Sequence, residues 1–242
     1  MRASLQWQSQ AGTFTTDNRD AFAHVELAHA SLYLVADGSS SHPLSGELAN
    51  ALLAKLVADF TLAQTEELNA EQTAEALLHI IATSQQMLRD EYPRAACSYL
   101  VLCLLTDAAF SIHEGDCCLG LIGQNAGIHW LSSVHCAANW QGNLTHAEIA
   151  QDTSRHRLTR CFSARRTSNP EIKHWPIAPN QHWLLASDGF WACLSHPEQL
   201  NFLRTGNLLA PPTDDDISCL SVSPPVLVEP NASTIRLTTR SK

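Results

Sequence analysis

The chain has 242 residues, 45% of them apolar, enough for one large domain or two small ones around a sizeable core. Its 15 Lys and Arg against 24 Asp and Glu leave a formal charge of −9, which argues against nucleic acid as a partner, because phosphate-backbone binding is carried by basic side chains. The opening Met-Arg-Ala-Ser-Leu-Gln-Trp-Gln has no apolar h-region, and no apolar run approaches the roughly 18 residues of a membrane helix, so a soluble cytoplasmic protein that binds cations is expected, with no signal peptide and no membrane partner.

Residues 21–36 read as two strands joined by a tight turn at His29-Ala30, the first alternating as though one face met water. From Ser45 to Phe60 the apolar positions 48, 52, 53, 56, 57 and 60 follow a helical period. A second amphipathic helix spans 70–91, with Asn69 as its N-cap. The period then changes. Short apolar runs at 97–105, 108–113, 117–123 and 127–132, separated by turn residues, predict antiparallel strands. Residues 133–170 are polar and aperiodic, and read as a loop-and-helix excursion over a site. Strand character returns at 172–177 and 182–187, a short helix covers Pro197–Leu203, and 217–222 is a final strand. Residues 223–242 read as a C-terminal tail, or as an extra strand at Ser233–Thr238.

No internal repeat or linker divides the chain, so a single domain over 1–242 is expected, its core at about 12–222. Strands, two consecutive helices and then many strands predict an α+β fold: two stacked antiparallel β-sheets flanked by helices. Eight cysteines lie mostly in apolar strand-like segments and contain no C-x-x-C pair, so buried free thiols are expected rather than a zinc site.

Acidic clusters recur at the ends of the predicted strands: Asn18-Arg19-Asp20, Ala36-Asp37-Gly38, Ser187-Asp188-Gly189 and Asp214-Asp215-Asp216. Gly115-Asp116 lies between two more. Hard divalent cations such as Mg²⁺ and Mn²⁺ favour oxygen ligands. Carboxylates this far apart in sequence form one site only where a sheet gathers its strand ends.

These segments resemble, in order, the motifs of the metal-dependent type 2C serine/threonine protein phosphatases, bacterial type. Gly12-Thr13-Phe14-Thr15-Thr16-Asp17-Asn18-Arg19-Asp20 is similar to the family's opening Gly-x-x-Arg-x-x-Asn-x-Asp. Val35-Ala36-Asp37-Gly38 and then His42 match the next motif, and Ser45-Gly46-Glu47 the start of the following helix. Glu114-Gly115-Asp116, Leu158-Thr159-Arg160, Ser187-Asp188-Gly189-Phe190-Trp191 and Asp215-Asp216-Ile217-Ser218 resemble the rest, so the likeness covers about 12–222.

The resemblance implies two Mn²⁺ or Mg²⁺ ions. Asp37 bridges them, the Gly38 carbonyl ligates one, and Asp20, Asp188 and Asp215 complete the shell. Asp37 and Asp188 are thereby the catalytic carboxylates. Asp116 matches a ligand of a possible third ion, or is a turn aspartate; His42 is a helix-entry histidine or takes the family's histidine position. The implied function is hydrolysis of phosphoserine and phosphothreonine by metal-activated water, on phosphorylated proteins that a cognate kinase supplies. A non-catalytic phosphatase-like binding module is the alternative. Thr15 stands where many members place a phosphate-binding arginine.

Overall fold

The computed structural model describes residues 3–63, 67–123, 127–209 and 213–223. The tail and the extra strand considered at Ser233–Thr238 lie outside them. Two antiparallel sheets stack face to face. One has strand order β1 (Ser4–Gln10), β11 (Ile217–Ser223), β10 (His182–Ala186), β6 (Cys118–Ile122), β7 (Ile128–Trp130). The other runs β2 (Asp20–Glu26), β3 (Ala30–Gly38), β4 (Ala96–Leu105), β5 (Ala109–Glu114), β9 (Glu171–Trp175), with the short β8 (Phe162–Ser163) also on β4. Helices α1 (Ser45–Ala63) and α2 (Ala70–Leu88) cover the second sheet; α3 (His146–Gln151), α4 (Asp188–Trp191) and α5 (His196–Thr205) lie against the first. This is the expected helix-flanked α+β sandwich.

Helix boundaries follow local chemistry. Asn69 accepts from the Gln72 amide while the Gln72 side chain caps Asn69, a reciprocal pair that satisfies two otherwise orphaned donors. The helix ends at Leu88, ahead of the expected 91. In α5 the Ser195–Glu198 capping box starts the helix and Gly206, at φ 72°, ends it. The turn between β2 and β3 closes at Ala30, whose carbonyl accepts from Leu27, so it centres on Ala28-His29. Strand β1 has no counterpart in the sequence reading. Its period-2 signal rests on Leu5 and Trp7 alone, and pairing with β11 over all 7 residues decides it.

Strand alternation divides β3 between two layers. Leu32, Leu34 and Ala36 face the helices; Tyr33 and Val35 face the opposite sheet. Leu100 and Leu102 of β4, Trp183 and Leu185 of β10, and Leu220 and Val222 of β11 fill the same inter-sheet layer. Each such side chain contributes about 1.5–3 kcal/mol by leaving water. Continued two residues toward one end of the sandwich, the same parity reaches Asp37, Ser98, Ser187 and Ser218. The apolar layer therefore turns polar at that end on four strands at once. No helix among the described residues is long and apolar enough to cross a membrane.

Candidate metal centre

Asp20 and Asp37 are direct cross-strand partners in β2 and β3, so their carboxylates share a face. Asp188 begins α4 just beyond β10, Asp215 precedes β11, and Asp116 sits in the turn between β5 and β6. Asp37, Asp116, Asp188 and Asp215 line one cleft of about 420 Å³. The structure thus gathers Asp37, Asp188, Asp215 and Asp116, with Asp20 beside Asp37. Gly38 ends β3, and a Cβ there would lie 2.6 Å from Ser45 backbone atoms, so only glycine allows α1 to start this close.

Serines and backbone groups hold the carboxylates. Ser98 Oγ donates to Asp116 Oδ1 (2.6 Å), and Ser187 Oγ donates to Asp20 Oδ2 (2.9 Å), linking the two sheets. Trp191 Nε1 donates to the Asp116 carbonyl (2.8 Å). Gly115 holds φ at 105°, and a Cβ on it would lie 2.3 Å from Ser98 Cβ; this glycine lets the Asp116 turn settle on β4. In the Asp214–Asp216 run the three carboxylates part. Asp216 accepts from the amides of Gly12 (2.9 Å) and Arg19 (2.8 Å), locking the 12–20 segment to β11. Asp214 accepts from Thr13 Oγ1, and Asp215 alone turns to Asp188.

The charge balance of this cluster is unfavourable on its own. Removal from water, and then the facing Asp20, Asp188, Asp116 and Asp215, push the Asp37 carboxyl far above its ordinary range. Burial likewise raises Asp20, with Asp216 and Asp188 adding to it against hydrogen bonds from Ser218 and Ser187. Asp116 and Asp215 are pushed up to about 7, mainly by burial and secondly by Asp188. Asp20 Oδ1 is buried with no hydrogen-bond partner among the described residues. A buried acceptor without a donor, amid carboxylates that resist ionising together, fits a hard divalent cation.

A pH dependence follows for the metal-free protein. Between the ordinary aspartate pKa of about 3.9 and the raised folded values, the fold binds more protons than the unfolded chain. Its stability is therefore full at low pH and is lost as pH rises through about 7, where Asp116 and Asp215 ionise. In chelator, wild type is expected to lose more melting temperature from pH 5 to pH 8 than Asp37→Asn, which removes one of the competing charges. Equal losses would contradict this reading of the cluster.

Two arginines near the cleft are committed. Arg155, in a single 3₁₀ turn at Thr153–His156, donates through Nη1 to Asp188 Oδ2 (2.7 Å) and through Nη2 to Cys193 Sγ (3.4 Å). Arg19 donates through Nη1 to the carbonyls of Ser39, Ser40 and His42 and pairs with Asp17, so it ties the loop after β3 to the 12–20 segment. Thr15 turns its hydroxyl to the Asp17 carbonyl (2.7 Å), and His42 Nδ1 accepts from the Leu44 amide (3.3 Å) at the entry to α1. Nothing in the spacing of Arg155 singled it out.

A second candidate metal-binding cluster joins His113, His135 and Glu171, whose ligand atoms lie within 4.8 Å of one another. The two rings stack at 4.5 Å with planes 8° apart. Their lone pairs then lie in two separate parallel planes, so one ion in line with both rings would require one ring to turn. As placed, the cluster is a hydrogen-bond network. The Gly115 amide donates to His135 Nδ1 (3.2 Å), which puts the proton on Nε2, and Nε2 donates to Glu171 Oε2 (2.9 Å). The His135 hydrogen bond first, with Lys173 after it, holds the Glu171 carboxyl well below its usual range. Its effect is to brace the Gly115-Asp116 turn. Three residues from three segments with no ligand spacing left no signal in the sequence. All eight cysteines are free; six are buried, and Cys161 and Cys193 are half-buried.

A model of the family "Protein phosphatase 2C" matches residues 14–219, most of the chain. The chain belongs to the protein phosphatase 2C family. Solved bacterial structures share the fold at low identity. The serine/threonine phosphatase of S. agalactiae superposes with a TM-score of 0.74 at 19% identity, covering 91% of this chain and 98% of that one. Stp1 from Staphylococcus aureus gives 0.78 at 14%, covering 93% and 96%. The PPM Ser-Thr phosphatase MsPP from Mycobacterium smegmatis, solved with cacodylate, gives 0.73 at 18%, covering 92% and 99%. No curated protein matches the chain at a significant level. Type 2C phosphatases are metal-dependent, and the carboxylate cleft lies at the sheet ends that carry this chain's family motifs.

Proposed function

We propose that this protein is a Mn²⁺- or Mg²⁺-dependent serine/threonine protein phosphatase, built as one catalytic domain and working in the cytoplasm on phosphoproteins made by a cognate kinase. The observation that carries the reading is the convergence of Asp20, Asp37, Asp116, Asp188 and Asp215 around an acceptor with no donor. Asp20, Asp37, Asp188 and Asp215, with the Gly38 carbonyl, would hold two ions, and Asp116 would help to hold a third. Bound cations supply Lewis acidity that activates water and stabilises charge on the phosphoryl oxygens.

The protein's own residues do the rest. Asp37, central among the carboxylates, sets where positive charge collects; Ser98 and Ser187 fix the carboxylates beside it; Arg155 holds one oxygen of Asp188. Burial raises the thiols of Cys97 and Cys161, both in the cleft wall, which suits direct attack by water over a cysteine nucleophile.

The test is hydrolysis of an aryl phosphate and a phosphoserine peptide by purified protein with Mn²⁺, Mg²⁺ or chelator, beside melting temperature under the same conditions. Turnover only with metal is expected, together with a melting temperature that rises with Mn²⁺, because a ligand bound only to the folded state stabilises it by about 2.7 kcal/mol at a hundredfold excess over Kd. A flat melting curve from micromolar to millimolar Mn²⁺, with no turnover, would sink the proposal.

A further inference from the structure

The cleft has an anionic floor and a cationic mouth. Arg94, His156, Arg165 and Arg166 line it together with the four aspartates. Asp116 and Asp188 lie at 8% and 5% exposure, whereas Arg94 and Arg165 are exposed, so the arginines stand outward of the carboxylates. Arg166 is engaged, its Nη1 donating to the carbonyls of Leu158 (3.3 Å) and Thr159 (3.5 Å). Arg94 and Arg165 have no hydrogen bond or ion pair among the described residues.

Both lie just beyond the end of one strand pair. The β4–β8 ladder ends at Ala96 opposite Ser163. Two residues beyond that end, one chain carries Arg94 and the other Arg165. Both segments leave the ladder there, Arg94 in a bend and Ala164-Arg165 in a turn, and both arginines lie on the rim of the same cleft. A chain with only 15 basic residues and a net charge of −9 nonetheless sets two of them here, uncompensated, at the mouth of its cleft. An anion at this rim meets two guanidinium groups that have no partner of their own among the described residues. Arginine suits that task because its planar fork meets a carboxylate with two parallel hydrogen bonds.

We propose that Arg94 and Arg165 form a subsite for an acidic side chain next to the phosphoresidue, so that the cleft prefers phosphopeptides with Asp or Glu flanking the phosphoserine or phosphothreonine. This rests on the phosphatase reading. The phosphate sits at the floor, where the carboxylates gather; the arginines lie farther out and meet the neighbouring residues. Without them the negative surface of the protein would repel such a peptide.

The experiment compares phosphoserine peptides identical except for Glu or Gln flanks, using wild type, R94Q/R165Q and R94K/R165K with Mn²⁺. Two exposed charge pairs predict that wild type favours the Glu peptide by about five- to tenfold in kcat/KM, carried by KM. The ratio is expected to fall below about twofold in R94Q/R165Q, to fall only part-way in R94K/R165K, which keeps the charge but loses the fork, and to shrink in 0.5 M salt as screening weakens exposed pairs. A wild-type ratio near one overturns the proposal, as does an undiminished ratio in R94Q/R165Q. An equal loss on both peptides also overturns it, because the arginines would then serve the phosphate or the fold. Should no peptide be turned over, the phosphatase reading fails; anisotropy titration of the same intact labelled peptides then decides the subsite by the same ratios of Kd.

Discussion

Asp37→Asn is expected to lower kcat for an aryl phosphate by about a thousandfold or more, equivalent to roughly 4 kcal/mol of lost transition-state stabilisation. Asp37 faces Asp20, Asp116, Asp188 and Asp215 together, so its charge lies at the centre of the cluster. A neutral amide of the same shape keeps the packing of β3 against β2 and β4 but is a poor ligand for a hard cation. The same substitution should have the opposite effect on the metal-free fold. Burial and four neighbouring carboxylates resist ionisation of Asp37, so Asn is expected to raise the melting temperature in chelator at pH 8 and to reduce the further gain from Mn²⁺. Higher stability with lost activity marks a residue held for function against the preference of the fold. Near-wild-type turnover at saturating Mn²⁺, or a lower melting temperature in chelator, would remove Asp37 from the centre of the site.

The sequence carried the sandwich well where its signals were long. The two helices after β3 and the run of short strands from β4 to β7 have unambiguous periods, and each was expected close to its observed place. Strand β1 was missed because its side chains bring little hydrophobicity of their own; β11 supplies the partner, and no local pattern announces a partner more than 200 residues away. Helix α4 is one turn of Asp188–Trp191, too short for a period.

For the candidate site, Asp-Gly and the strand before it pointed to Asp37 and Asp188 because both the carboxylate and the close backbone approach leave a trace in sequence. Within Asp214–Asp216 only the frame of Ile217-Ser218 separated Asp215 from Asp216, which the structure ties to the Gly12 and Arg19 amides. Ser98 carried no signal, and Ser187 and Ser218 entered only as motif neighbours of the aspartates, because a serine at a strand end is ordinary until register places it beside a carboxylate. The His113–His135–Glu171 network needs the β5–β9 pairing of His113 with Glu171 and a loop that brings His135 to Gly115, and Arg94 and Arg165 meet at the cleft only through the fold.

Arg155→Met is expected to destabilise the metal-free protein by about 3 kcal/mol, the lower end of the cost of leaving one member of a buried ion pair alone. The side chains of Arg155 and Asp188 are 11% and 7% exposed and meet at 2.7 Å. Asp188 would then face Asp37, Asp116 and Asp215 with no permanent cation in contact. For a domain of this size that loss corresponds to roughly 6–12 °C in melting temperature. Mn²⁺ supplies positive charge at the same carboxylates, so its stabilising increment should be larger in Arg155→Met than in wild type. Arg155→Lys, which keeps the charge but loses the fork that also reaches Cys193, should fall between the two. Activity separates placement from charge. If Arg155 serves by holding Asp188 in position, Arg155→Met turns over more slowly at saturating Mn²⁺, even though it gains more stability from the metal. A metal-free melting temperature within about 1 °C of wild type, less than 1 kcal/mol on the same scale, would show that the ion pair does not hold Asp188.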